Sequence, residues 1–167
     1  MSAARALAKI LPILRRDMSA SHMNILVVDD EHLLCWTLTQ VFNEAGWTTT
    51  CCASAIEAMN LLRTTGYDLV ITDLRIPDGD GIDVAACAKS YFPTPFVVLL
   101  TAESKRGTSR LQSEHVDEII EKPFDIEALV ESIKKYHRPK KTDTTKRLKT
   151  QDQKRSSHHH HITGEST

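Results

Sequence analysis

Between residues 24 and 137 the chain alternates without a break between short apolar runs and longer segments whose apolar residues recur every three or four positions. The runs at 25–28, 47–52, 69–72, 96–100 and 116–120 have the length and β-branched content of strands. The segments at 32–45, 54–64, 81–91, 104–112 and 125–137 have the period of amphipathic helices. Ser54 and Asp125 are expected as helix N-caps, and Gly46 and Gly66 as helix stops. Consecutive strands can lie parallel only if a crossover joins them, and a helix is the usual crossover. Strict alternation therefore predicts an α/β fold, one parallel sheet with helices on both faces and right-handed connections. The runs at 25–28, 69–72 and 96–100 are the most uniformly apolar and are expected at the centre of the sheet. The run containing TTTCC is more polar and suits an edge.

The 167 residues are enough for one well-buried domain with tails. The expected division is an extension at 1–22, a domain at 23–137 and a basic tail at 138–167. Residues 1–22 carry four basic side chains against one acidic, residues 23–137 nine against eighteen, and residues 138–167 eight against three. An acidic domain with basic ends does not itself bind nucleic acid, which leaves the tails as the electrostatic candidates for such contact. The extension, with Leu7, Ile10, Leu11 and Leu14 on one helical face and Pro12 interrupting it, has three open readings. It is an over-long gene start upstream of Met18 or Met23, a cloning remnant (Ser21-His22-Met23), or a surface-binding helix. The tail lacks apolar residues to bury and is expected to be disordered. Its four histidines, 158–161, read as a partial tag or low-complexity sequence rather than a metal site. Cys35, Cys51, Cys52 and Cys87 have neither CxxC spacing nor the density of a disulfide scaffold, so reduced thiols in a cytoplasmic protein are expected. No apolar run approaches the roughly 20 residues of a membrane span.

In an open parallel sheet, ligands bind outside the carboxyl ends of the strands. The first strand ends in Asp29-Asp30-Glu31, the third in Asp73, the fourth in Thr101 and the fifth in Glu121-Lys122. Adjacent carboxylates repel and are costly to desolvate, so the acids call for a cation. Oxygen ligands suit Mg²⁺, or Mn²⁺, which commonly accompanies a phosphoryl group. A hydroxyl and an ammonium opposite the metal are placed to hold phosphoryl oxygens, and a carboxylate such as Asp73 is a candidate nucleophile. Each residue also has a bland reading: Asp73 capping a turn, Thr101 capping the next helix, Lys122 as a surface lysine. Their arrival together at four strand ends is what those readings explain poorly. Pro123 is either an ordinary helix-start proline or half of a cis Lys122-Pro123 bond.

The motifs VVDDE, ITDLRIPDGDG, LLTA and EKPF, in this order and spacing over residues 24–137, resemble the receiver domain of two-component response regulators. The resemblance implies a flavodoxin-like, doubly wound (βα)5 fold with strand order 2-1-3-4-5. It implies that Asp73 accepts a phosphoryl group from a sensor histidine kinase or histidine phosphotransfer protein. Asp30, Asp73 and the backbone carbonyl of Arg75 would hold Mg²⁺, with Asp29 acting through a bound water. Thr101 and Lys122 would grip the phosphoryl oxygens. Such a domain is a signalling phosphoacceptor rather than an enzyme with outside substrates, catalysing only its own phosphorylation and dephosphorylation. The family commonly has an aromatic ring three residues before the lysine, where this chain has Ile119, so the side-chain switch it reports is the less transferable part. Arg75 and Glu103, each two residues past a key position, are expected to pair across the site and limit water access. No output domain fits the tail, so a stand-alone receiver that signals by protein contact is expected, with a phosphorylation-dependent dimer left open. The competing readings are a phosphorylation-independent binding module, a regulator tethered to nucleic acid by its basic tail, and a flavin or phosphatase enzyme. The last lacks a phosphate loop after the first strand and a second acid two residues past Asp73, where Arg75 stands.

Overall fold

Five strands form one parallel sheet in the order β2-β1-β3-β6-β7, and a small two-stranded sheet joins β4 to β5. The computed structural model describes residues 22–103 and 113–137. The elements are β1 (Asn24–Val28), α1 (His32–Glu44), β2 (Thr48–Cys52), α2 (Ala55–Thr64), β3 (Leu69–Asp73), β4 (Arg75–Ile76), β5 (Gly79–Asp80), α3 (Gly81–Lys89), β6 (Phe96–Thr101), β7 (Glu118–Glu121) and α4 (Ile126–His137). Since β6 and β7 are the fourth and fifth apolar runs, the expected flavodoxin-like order is the observed one. The helix expected at 104–112, the extension up to residue 21 and the tail from 138 lie outside the described residues. His22, at the end of the expected extension, sits against the domain, with Nδ1 2.9 Å from Gly46 O and Nε2 3.0 Å from Thr48 Oγ1.

The period of two along each strand divides the core in two. Ile25, Val27, Leu69, Ile71, Val98 and Leu100 face one way and pack with Leu38, Val41 and Phe42 of α1 and Leu129, Val130 and Ile133 of α4. Leu26, Val28, Val70 and Val97 face the other way and meet Ala55, Ala58 and Leu62 of α2 and Val84, Ala85 and Ala88 of α3. Ile25 to Val28 are fully buried because β1 is covered on both faces, each side chain contributing about 1.5–3 kcal/mol. The alanines on the second face let α2 and α3 lie close to the sheet and to each other.

The caps follow their chemistry. Ser54 Oγ accepts from Glu57 N at 3.2 Å, and Asp80 Oδ1 accepts from Ile82 N at 2.8 Å. Asp125 enters α4 through its backbone carbonyl, which accepts from Ala128 N and Leu129 N. Gly46, just past the end of α1, has φ +88°, the left-handed conformation that ends a helix and favours glycine. Beyond β3 the chain makes the antiparallel hairpin Arg75↔Asp80, Ile76↔Gly79. Asp78 at its tip has φ 57°, and its Oδ1 accepts from Ala55 N at 3.0 Å, setting a carboxylate at the positive end of α2.

Candidate functional site

The sheet ladder continues one step past several strand ends, and those extra bonds position the site. Asp29 N donates to Cys52 O at 3.1 Å, Leu74 N to Leu100 O at 2.8 Å, and Lys122 N to Thr101 O at 2.7 Å. Asp29, Asp73, Thr101 and Lys122 are thereby tied at or beside the carboxyl ends of β1, β3, β6 and β7, as the strand-end rule requires.

Lys122 Nζ lies between two carboxylates, 2.8 Å from Asp29 Oδ2 and 2.7 Å from Asp73 Oδ2. The Asp29 side chain is fully buried and its Oδ1 accepts from Glu31 N at 2.8 Å. One ligand oxygen from each of Asp29, Asp30 and Asp73 falls within a mutual 4.8 Å. Burial by itself pulls the Lys122 ammonium down, but hydrogen bonds and charge from Asp29 and Asp73 outweigh it, so its proton is held more tightly than in an ordinary lysine.

The other expected residues also fall on this rim. Arg75 N points at Asp73 Oδ1 at 3.3 Å, and the Arg75 guanidinium reaches across to Glu103, with Nε 3.1 Å from Oε1. Thr101 is buried and its hydroxyl accepts from Glu103 N at 2.9 Å, which leaves the hydroxyl hydrogen for another acceptor. The Lys122-Pro123 bond is cis. Ile119 lies beneath the rim, packed against buried Leu74 and Leu99 with Ile82 and Val116.

Gly81, the first residue of α3, lies directly under the site. A Cβ at this position would stand 2.1 Å from Asp73 O, and Gly81 N donates to Leu74 O at 3.0 Å. The β4–β5 hairpin that brings Gly81 there was signalled by the turn-forming string PDGDG, whose Pro, Asp and Gly residues each favour a chain reversal.

The cluster fits a hard divalent cation. Three carboxylates and one ammonium leave a formal charge of minus two, and carboxylate oxygens gathered at one point are the ligands Mg²⁺ accepts. Both oxygens of Asp29 and both of Asp73 accept hydrogen bonds, whereas Asp30 is exposed.

Residues 25–134 match the family model for the response regulator receiver domain. The chain is 31% identical over 114 residues to sporulation initiation phosphotransferase F of Bacillus subtilis, covering 67% of this chain and 91% of that protein. It is 28% identical over 122 residues to the DNA-binding transcriptional regulator NtrC of Proteus hauseri, covering 71% of this chain but only 26% of the relative. The crystal structure of the response regulator TrrA from Thermotoga maritima, in complex with Mg²⁺-BeF, superposes with a TM-score of 0.57 at 31% identity, covering 68% of this chain and 97% of that one. With the sheet order and the strand-end cluster, these matches place the chain in the response regulator receiver domain family.

Proposed function

We propose that Asp73 accepts a phosphoryl group in a Mg²⁺-dependent reaction, from a sensor histidine kinase or histidine phosphotransfer protein, and that the change in charge alters contacts with a protein partner. The observation that carries this reading is the convergence of Asp29, Asp30, Asp73 and Lys122 on one point at the strand ends. Asp30, Asp73 and the Arg75 carbonyl would hold the metal, with Asp29 behind a water. A bound Mg²⁺ supplies charge neutralisation for the incoming phosphoryl oxygens. One oxygen of Asp73 attacks phosphorus in line with the donor's leaving group; the new O–P bond makes an acyl phosphate as the donor bond breaks. Lys122 then moves its hydrogen bonds from the carboxylates toward a phosphoryl oxygen, and Thr101 offers its hydroxyl hydrogen to another. Phosphorylation replaces the single charge of the Asp73 carboxylate with the near-dianionic charge of an acyl phosphate and adds three acceptor oxygens, enough to rebias a two-state surface through those two side chains. A cytoplasmic setting accords with the four free thiols.

Intact-protein mass after incubation with acetyl phosphate tests the reading. A gain of one phosphoryl group with Mg²⁺, and none after chelation, is expected. No gain under either condition contradicts it.

The Arg75–Glu103 pair spans the mouth of the site and is placed to hinder an attacking water. Arg75→Ala and Glu103→Ala are each expected to speed loss of the phosphoryl group several-fold, measured by quenching labelled protein over time. Equal decay rates in wild type and both variants would show that the pair is only a surface ion pair, of the kind that usually contributes little.

A further inference from the structure

Beside the acidic loop, a second concentration of reactive side chains joins α1 to the edge strand β2. Cys35 lies in the second turn's start of α1 and is buried, and Cys51 lies on β2 and is half-buried. Alternation along β2 turns Cys51 toward the α1 face, in the cluster that contains Cys35, and turns Cys52 to the opposite face with Ala55 and Ala58. Cys51 Sγ donates to Cys35 O at 3.5 Å and is 3.2 Å from Thr39 Oγ1, while Cys35 Sγ donates to Asp29 O at 3.7 Å.

We propose that Cys35 and Cys51 are an oxidation site for hydroperoxides, closing a disulfide that ties α1 to β2. The Cys51 thiolate attacks the peroxide O–O bond and becomes a sulfenic acid, releasing water or an alcohol once the leaving oxygen is protonated. The Cys35 thiol then attacks the sulfenic sulfur. Its proton leaves with the departing hydroxide as water, and the S–S bond forms, so two thiols are oxidised and one peroxide is reduced. Exposure supports this division of roles: Cys51 is the half-buried thiol that a peroxide can reach, and Cys35 is the buried one behind it. Closure removes the hydrogen that Cys35 donates to Asp29 O. A bond of this kind in a reducing compartment is a transient redox device rather than a structural staple.

The test uses the full, reduced chain treated with hydrogen peroxide under native conditions, alkylated, and mapped by peptide mass without reductant. The expected result is an intact mass lower by two hydrogens and a peptide pair joining Cys35 to Cys51, both reversed by dithiothreitol. Cys51→Ser abolishes the link, and Cys87→Ser retains it. Because the map is read on the wild-type chain, it does not depend on a variant folding. Links confined to Cys52 or Cys87, links only between chains, or over-oxidation of Cys51 without a link would each overturn the proposal.

Discussion

Gly81→Ala is expected to cost about 3 kcal/mol of folding stability and to slow phosphoryl acceptance as well. The alanine methyl would meet backbone, 2.1 Å from the Asp73 carbonyl oxygen, 2.9 Å from its carbon and 3.0 Å from Leu74 Cα. No rotamer change relieves such a contact, so α3 must retreat or the end of β3 must shift. Either movement displaces Asp73, the side chain proposed to accept the phosphoryl group. Gly66→Ala is the contrast, since an added Cβ there meets nothing within 4 Å, and a change within about 0.5 kcal/mol is expected. Urea unfolding of both variants checks the difference through the midpoint at an unchanged slope. Equal midpoints would mean that the approach of α3 to β3 is looser than the structure has it.

Lys122→Met carries the second large effect. Methionine keeps much of the length but leaves the fully buried Asp29 side chain, and the nearly buried Asp73, without their ammonium. Removing one partner of a buried ion pair costs about 3 kcal/mol or more, because the remaining charge stays desolvated. That loss is expected in the absence of divalent cation. A ligand that binds only the folded state stabilises it, so Mg²⁺ should raise the variant's thermal midpoint more than that of wild type. An equal Mg²⁺ shift in the two proteins would count against a shared metal and lysine site. The folded-state pKa of Lys122 is raised, so its contribution is complete below the ordinary lysine range of about 10.4 and is lost as pH climbs through the raised value. The gap between wild type and Lys122→Met should accordingly narrow only at strongly alkaline pH.

Much of this molecule was legible because its strands are buried on both faces or end in unusual chemistry. Ile25 to Val28 could be placed centrally from their unbroken apolar character, and TTTCC at the edge from its hydroxyls. The start of the last strand was harder. Val116 is apolar and packs under the sheet, which extended the expected strand, but sheet pairing begins at Val98↔Glu118. Hydrophobicity reports burial, and burial extends beyond the ladder. The β4–β5 hairpin was missed because two-residue strands are too short to show a period, although PDGDG carried its turn chemistry. The closeness of Gly81 to Asp73 could not be read at all. It depends on how far α3 approaches β3, a distance set by Ala85, Ala88 and Val84 packing against the sheet. For the site, the strand-end rule named the residues, while the position of Lys122 between Asp29 and Asp73 required the sheet register.

The central claim is that one carboxylate, Asp73, becomes an acyl phosphate. Borohydride reduces an acyl phosphate to an alcohol, converting a phosphorylated aspartate to homoserine, so trapping the acetyl phosphate-treated chain and sequencing its peptides reads the position directly. Homoserine at residue 73, present with Mg²⁺ and absent after chelation, is the predicted result. Homoserine at Asp29 or Asp30 instead, or at none of the three, would contradict the account.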